Sequence, residues 1–322
     1  MKNFILAFLL LCSYATLAQQ HKHTYHKSNG TEVNVPDSAE YHRIITPDSA
    51  SGLFAIKEYY LNNKLRFTGY ITKPNVLLFQ GECITYFKNG KTKILAQYDK
   101  NTTIGPVSLY YPNGRIYAVI EYAPASELLP ANDFTGKAYY VNSNYDSLGK
   151  ATVIEGNGHY IGYDDDFKYV TEDGNVVKGK RNGIWNANAD SGKTQLLETY
   201  DNGRLLSGTA TYEDGSFSTY TVSRMALPQF YGGIEGFYKY LSNTLRYPEA
   251  DRKKGIEGRV YIKFVVEKDG RLADLQVTRS VSPGTDAEAK RALIKCPKWL
   301  PAMRFGKKVR LEYTVPIVFA LK

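Results

Sequence analysis

Apolar and polar side chains alternate most regularly towards the end of the chain. Val260, Ile262, Phe264 and Val266 project to one side of an extended segment and Arg259, Lys263 and Glu267 to the other, the period of a strand with one buried face. Asp269-Gly270 supplies a tight turn, because both residue types tolerate positive φ, and Leu275 and Val277 carry the return strand. Upstream, Ile234, Phe237, Tyr238, Leu241 and Leu245 recur at helical spacing, which predicts a helix with that stripe against the same core. Pro248 can open a second, short helix and Gly255 close it. Thr285 with Glu288 reads as the capping box of a third helix running to Lys295, with Ala289, Ala292 and Leu293 on its inner side. Val309, Leu311, Tyr313 and Val315 alternate again. Pro316 removes one ladder donor, so this last strand is expected at or near a sheet edge. Residues 226–322 therefore predict an α+β unit: a three-stranded antiparallel sheet with helices on one face.

Between residues 52 and 225 the pattern repeats. Gly81 is followed by Asn89-Gly90, Lys91 and Tyr98, and Gly105 by Asn113-Gly114, Arg115 and Tyr122 at the same offsets. Gly183, Ser191-Gly192, Lys193 and Tyr200 fit the frame a third time, with weaker copies around Gly136 and Gly208. A unit of roughly 24 residues with one turn between two Tyr-rich runs is a hairpin that cannot bury its own face, so units must stack. This predicts a mainly β, stacked-hairpin sheet. Tyr86, Tyr110, Tyr111, Tyr139 and Tyr140 could line a ligand groove along it; the simpler expectation is that they pack on the sheet with wet hydroxyls.

Composition adds a bias in charge. The chain has 322 residues and a net charge of +9, long enough for two domains with cores of their own. Residues 227–322 hold 19 Lys and Arg against 10 Asp and Glu, leaving 22 against 22 in the rest, so all of the excess lies at the C-terminal end. Such a domain suits acidic partners: peptidoglycan, an anionic lipid surface or an acidic peptide. Met1-Lys2-Asn3, the apolar run Phe4–Leu11 and the small residues up to Ala18 make residues 1–18 an export signal, too short for the ~20 residues of a spanning helix. Export to the periplasm or cell envelope argues against nucleic acid. Leu11 before Cys12 lacks the small side chain that lipid-modifying processing favours. Beyond the signal stand Cys83 and Cys296, whose pairing the sequence leaves open. Residues 19–51 are polar and without sustained period, and predict a flexible arm.

Candidate chemistry is sparse. His21, His23, His26 and His42 have lone pairs for a transition metal, but no acid or thiolate completes a site. Asp164-Asp165-Asp166 lacks the alternating ligands of a calcium loop and reads as a turn. His159 has no nucleophile elbow near it, and no zinc, redox or phosphate-loop motif is present. The expectation is a protein that is not an enzyme, with no catalytic residue, metal or cofactor.

One ordered set of residues carries a resemblance. Pro228-Gln229-Phe230 with Gly232-Gly233, Tyr247-Pro248 with Ala250, Gly255 to Val260, Asp269-Gly270, Trp299 with Pro301-Ala302, Gly306-Lys307, and Tyr313 with Pro316 and Phe319 together resemble the TonB C-terminal domain in its Bacteroidetes form. The repeats before it resemble MORN-type hairpins. The TonB resemblance implies a partner, the N-terminal peptide of an outer-membrane transporter, added as a strand during energy-coupled transport. Carried over by position, the peptide-binding residues would be Arg246, Tyr247 and Pro248 with Val309, Leu311, Tyr313, Val315 and Phe319 of the last strand. Transducers of that family also meet a proton-driven motor through an uncleaved membrane helix, which a short export signal does not provide. The alternative expectation makes the repeats a structural or interaction scaffold and the C-terminal domain a cell-wall or protein dock.

Overall fold

Asn-Gly turns set the geometry of the first repeats. At Asn89-Gly90 the Phe87 and Lys91 backbones close the loop (Phe87 N to Lys91 O, 2.8 Å), Gly90 takes φ +89°, and Lys91 N donates to Asn89 Oδ1 at 2.9 Å. Tyr111 to Arg115 reproduces the same bonds around Asn113-Gly114. Each turn also ties to the next: Asn89 Nδ2 donates to Pro112 O at 2.8 Å, and Asn113 Nδ2 to Ser147 O at 3.1 Å. Stacking of hairpins is thus written into the turn residue.

The computed structural model describes residues 22–124 and 139–321; the expected signal at 1–18 and the repeat copy at Gly136 lie outside them. By internal contacts the described residues form two units, 22–124 with 139–156, and 157–321. The first contains β1 (Lys22–His26), β2 (Glu32–Val33), β3 (Tyr41–Asp48), β4 (Leu53–Tyr60), β5 (Leu65–Lys73), β6 (Val76–Tyr86), β7 (Thr92–Asp99), β8 (Thr102–Tyr110), β9 (Ile116–Tyr122), β10 (Tyr139–Tyr145) and β11 (Ala151–Ile154). From β3 to β11 each strand pairs antiparallel with the next, and β1 pairs with both β2 and β3. Ile45, Ile56 and Ile71 are buried against Phe54, Phe67 and Phe79.

The flexible arm expected at residues 19–51 is corrected here, because β1 and β3 pair from Lys22↔Ile45 to His26↔Tyr41. Tyr41 and Ile45 are buried, and His26 is buried too, stacked on Tyr41 at 5.1 Å and held by Thr24 Oγ1 at 2.7 Å and Gly30 O at 3.1 Å. Histidines and hydroxyls that satisfy each other inside a sheet read as polar, unpatterned residues in the sequence.

The second unit opens with another meander: β12 (Asn157–Tyr163), β13 (Val170–Val177), β14 (Lys180–Ala189), β15 (Thr194–Asp201), β16 (Arg204–Tyr212) and β17 (Phe217–Tyr220). Two glycines make room for its aromatic core. Gly174 lies opposite the fully buried Trp185 and Gly208 opposite Tyr220, and a Cβ at either position would run into the facing ring.

The rest of the unit comprises β18 (Met225–Ala226), α1 (Gly233–Thr244), α2 (Glu249–Lys253), β19 (Gly258–Val266), β20 (Leu272–Arg279), α3 (Pro283–Ile294), β21 (Ala302–Arg304), β22 (Lys307–Val309) and β23 (Leu311–Phe319). Three strands form an antiparallel sheet in the order β20–β19–β23, and β18–β21–β22 form a smaller one. Phe237 and Leu241 of α1 and Ala289, Ala292 and Leu293 of α3 are buried with Val260, Ile262, Phe264, Val315, Ile317 and Phe319 in one core. Trp299 sits among the aromatic rings of that core, 5.2 Å from Phe237 and 5.4 Å from Phe264 between ring centres.

Two local expectations shift. Ile234 and Tyr238 are 58% and 49% exposed, so α1 buries the narrow stripe Phe237 and Leu241 and not the broad one. The third helix starts earlier than Thr285 suggests. Ser282 is its N-cap and Pro283 its first residue; Ser282 Oγ accepts from Thr285 N and Thr285 Oγ1 from Ser282 N, each at 3.0 Å. Glu288, freed from capping, accepts from Arg291 and from the Arg246 backbone at 2.6 Å.

Candidate peptide-docking edge

Sheet edges differ in how well they can receive another strand, because a regular edge offers a periodic row of N–H and C=O groups and a bulged one does not. Strand β23 pairs with β19 over nine successive residues, Gly258↔Phe319 to Val266↔Leu311, without a register shift. The β19–β20 pairing slips twice, and Asp274 of β20 takes φ +54°. Among the described residues no segment pairs with the outer side of either strand, so β23 is the long regular edge. Pro316 leaves that strand one N–H short.

The expected site residues fall into three groups. Val315 and Phe319 are each 3% exposed and point into the core, while Leu311 and Tyr313 are half-buried on the same face. These four can meet a visiting peptide through their backbone. Side chains exposed to it are those of Glu312, Thr314 and Val318 on the opposite face, which the sequence reading passed over because it followed the apolar positions. Val309 lies elsewhere: it pairs with Ala302 in the β21–β22 hairpin.

Arg246, Tyr247 and Pro248 come to one end of β23. The Tyr247 ring stands edge-on to Phe319 at 5.7 Å, and its hydroxyl donates to the Ile256 carbonyl. Pro248 precedes α2 as its N-cap, and its carbonyl accepts from Arg252 N at 2.9 Å. The Arg246 backbone is tied to Glu288, while its side chain is exposed. Charges along the edge are largely matched: Lys263 reaches Glu312 at 3.0 Å, and Arg310 reaches Glu267 at 2.8 Å and Asp274 at 2.5 Å.

Residues 243–321 match the family described as Gram-negative bacterial TonB protein, C-terminal. This stretch is a TonB C-terminal domain. A similar relative is Protein TonB of Pseudomonas aeruginosa, 36% identical over 77 residues, which are 24% of this chain and 22% of that protein. The chain thus matches less than a quarter of that relative's length.

The TonB C-terminal domain is bound to the strands before it by contacts the sequence did not announce. Glu198 of β15, 1% exposed, accepts from Arg224 Nε at 2.7 Å, Tyr220 Oη at 2.6 Å and Tyr200 Oη at 3.1 Å. Burial alone would push its carboxyl up, but the hydrogen bond and charge of Arg224, helped by Tyr220 and Arg181, hold it below the ordinary 4.5. Nearby, Phe305 N donates to Arg224 O at 2.8 Å and Ser218 Oγ to Phe305 O at 2.6 Å. Arg304 pairs with Asp190 at 2.6 Å, and the Lys307 ammonium lies 3.3 Å above the Tyr212 ring. Apart from Tyr200 and Arg181, the partners in each of these pairs stand 22 or more residues from each other and leave no spacing signal.

Other candidates resolve simply. Asp164 Oδ1 accepts from Lys168 N at 2.5 Å and Tyr169 N at 3.0 Å, capping a turn. His159 is exposed, 3.4 Å from Asp173. Cys83 is a buried free thiol, pushed up to about 11 by burial, and Cys296 is a half-buried free thiol that accepts from Trp299 Nε1 at 3.4 Å.

Proposed function

We propose that the TonB C-terminal domain docks the N-terminal peptide of an outer-membrane transporter by strand addition to β23, as part of energy-coupled transport, in a non-enzymatic role in the periplasm. The observation that carries this reading is the open, unbroken nine-residue edge of β23. An added strand would take its affinity from main-chain bonds and its selectivity from Glu312, Thr314, Val318 and Arg246. In this reading residues 226–322 are the docking part, and residues 52–225 are a stiff spacer or a second binding surface. Peptidoglycan is the further partner that the basic balance of the domain favours.

The test is titration of the full chain with transporter N-terminal peptides and with the same peptides N-methylated at alternate residues. Each main-chain bond is worth about 0.5–1.5 kcal/mol net, so two methyl groups should weaken binding about tenfold or more. Equal binding of both forms, or none at low salt, removes the basis for strand addition. Traction against the inner membrane further needs an anchor. Among the described residues no helix is long and apolar enough to cross a membrane. N-terminal sequencing of the mature protein decides the matter: a chain starting at Gln19 cannot pull on its own.

A further inference from the structure

The pairing of β1 with β3 brings together two histidines that lie 19 residues apart in the chain. Tyr25 stands opposite His42 and His23 opposite Ile44, so His23 and His42 are diagonal neighbours on one face of the sheet. Their ring nitrogens meet: His23 Nε2 lies 3.0 Å from His42 Nδ1. Aromatic neighbours steady both rings. His42 stacks on Tyr59 with ring centres 5.2 Å apart and planes 14° from parallel, and the His23 ring lies 5.0 Å from that of Tyr25. The Asn63 side chain also hydrogen-bonds His42. Water reaches the pair, since His23 is exposed and His42 half-buried. His26, further along β1, is the contrast: it is buried, and Thr24 and Gly30 occupy its two ring nitrogens.

We propose that His23 and His42 form a binding site for a divalent transition-metal ion of the Zn2+ kind. Two imidazole nitrogens at about 2.0–2.1 Å from such an ion, set between a right angle and the tetrahedral angle, stand about 2.9–3.4 Å apart. The pair is already at that separation. Imidazole suits these ions, whereas Mg2+ and Ca2+ take oxygen ligands. Burial and the neighbouring His23 hold His42 below its ordinary 6.5, so at neutral pH the ring is in the uncharged form that binds metal. The proton now shared between the two rings moves to the far nitrogen of the ring that carries it, which frees both facing lone pairs with no net loss of a proton. A hydrogen-bond partner such as Asn63 orients a metal-binding ring and fixes its tautomer. Among the described residues no third His, Cys, Asp or Glu joins the two, so the remaining coordination positions fall to water. The site belongs to the first unit and does not depend on the docking reading, so each can fail without the other.

Isothermal titration of the full chain, free of any histidine tag, with ZnCl2 tests it. Binding is expected, with no heat from MgCl2 at the same concentrations. His23→Ala and His42→Ala should each weaken Zn2+ binding about tenfold or more, since even the partners behind a ligand are worth that much. His159→Ala, which removes an exposed histidine elsewhere in the chain, should leave it unchanged. The His23 side chain is exposed, so its variant is expected to keep the parent's thermal midpoint without metal. Added Zn2+ should then raise the midpoint of the parent and of His159→Ala, and not that of His23→Ala. No Zn2+ binding by the parent, equal binding by His23→Ala, or the same response to Mg2+ overturns the proposal.

Discussion

Glu198 shows how much a single buried group can depend on its partners. A carboxylate taken out of water is costly unless charged and hydrogen-bonded neighbours replace the solvent, and here Arg224, Tyr220 and Tyr200 do so. Glu198→Gln leaves the buried Arg224 uncompensated and should cost about 3 kcal/mol of stability, read from the urea midpoint. The folded carboxyl titrates below its ordinary 4.5, so its contribution is full above that value and is lost as pH falls through the lowered one. The parent should therefore lose stability on acidification below about 4.5 more steeply than the Gln variant, and identical slopes would refute this assignment. Gly270 is a second single-residue constraint. It sits at φ +84° with its Cα against the Trp299 carbonyl, so Gly270→Ala should destabilise by at least about 1–2 kcal/mol from the backbone conformation alone. An unchanged thermal midpoint would contradict that. The need for a small turn residue was legible at Asp269-Gly270; the tryptophan carbonyl above it was not, since it arrives from 29 positions away.

At the level of elements, the helices packed on the β20–β19–β23 sheet draw their stability from few residues. Phe237 is 1% exposed and Tyr238 49%, so Phe237→Ala should cost about 3–5 kcal/mol and Tyr238→Ala within about 0.5. Equal losses in chemical denaturation would mean that the broad stripe faces the core after all. Ser282→Ala should cost about 1 kcal/mol through the lost cap, against little for Glu288→Gln as far as capping is concerned. The strands β19, β20 and β23 were visible from their alternation and from Pro316. The helix start was displaced because a hydroxyl at Thr285 plays the part usually taken by Glu or Gln. The strands at residues 22–26 and 41–48 were hidden because strand pairing satisfied polar side chains that, read singly, look solvated.

Across the second unit, the repeat strands and the TonB C-terminal domain are joined through the β21–β22 hairpin. Gly306 has φ +78°, and a Cβ there would run into the Thr219 carbonyl oxygen. Gly306→Ala should open this junction, seen as faster amide exchange at Phe305 and Met225 with Ile262 and Val315 still protected. Uniform exchange across all four would show that the junction and the domain open as one. The exposed Arg304–Asp190 pair should matter far less, under about 1 kcal/mol. What the sequence by itself determined is local: turn residues every two dozen positions, a period of two in the strands, and tight turns at glycines such as Gly90, Gly114 and Gly270, because backbone sterics and side-chain alternation act over a few residues. Only the tertiary structure decided which strand of the sheet keeps an open regular edge and that Arg224 reaches back to Glu198. Each of these depends on which strands become neighbours, and that is settled by long-range packing.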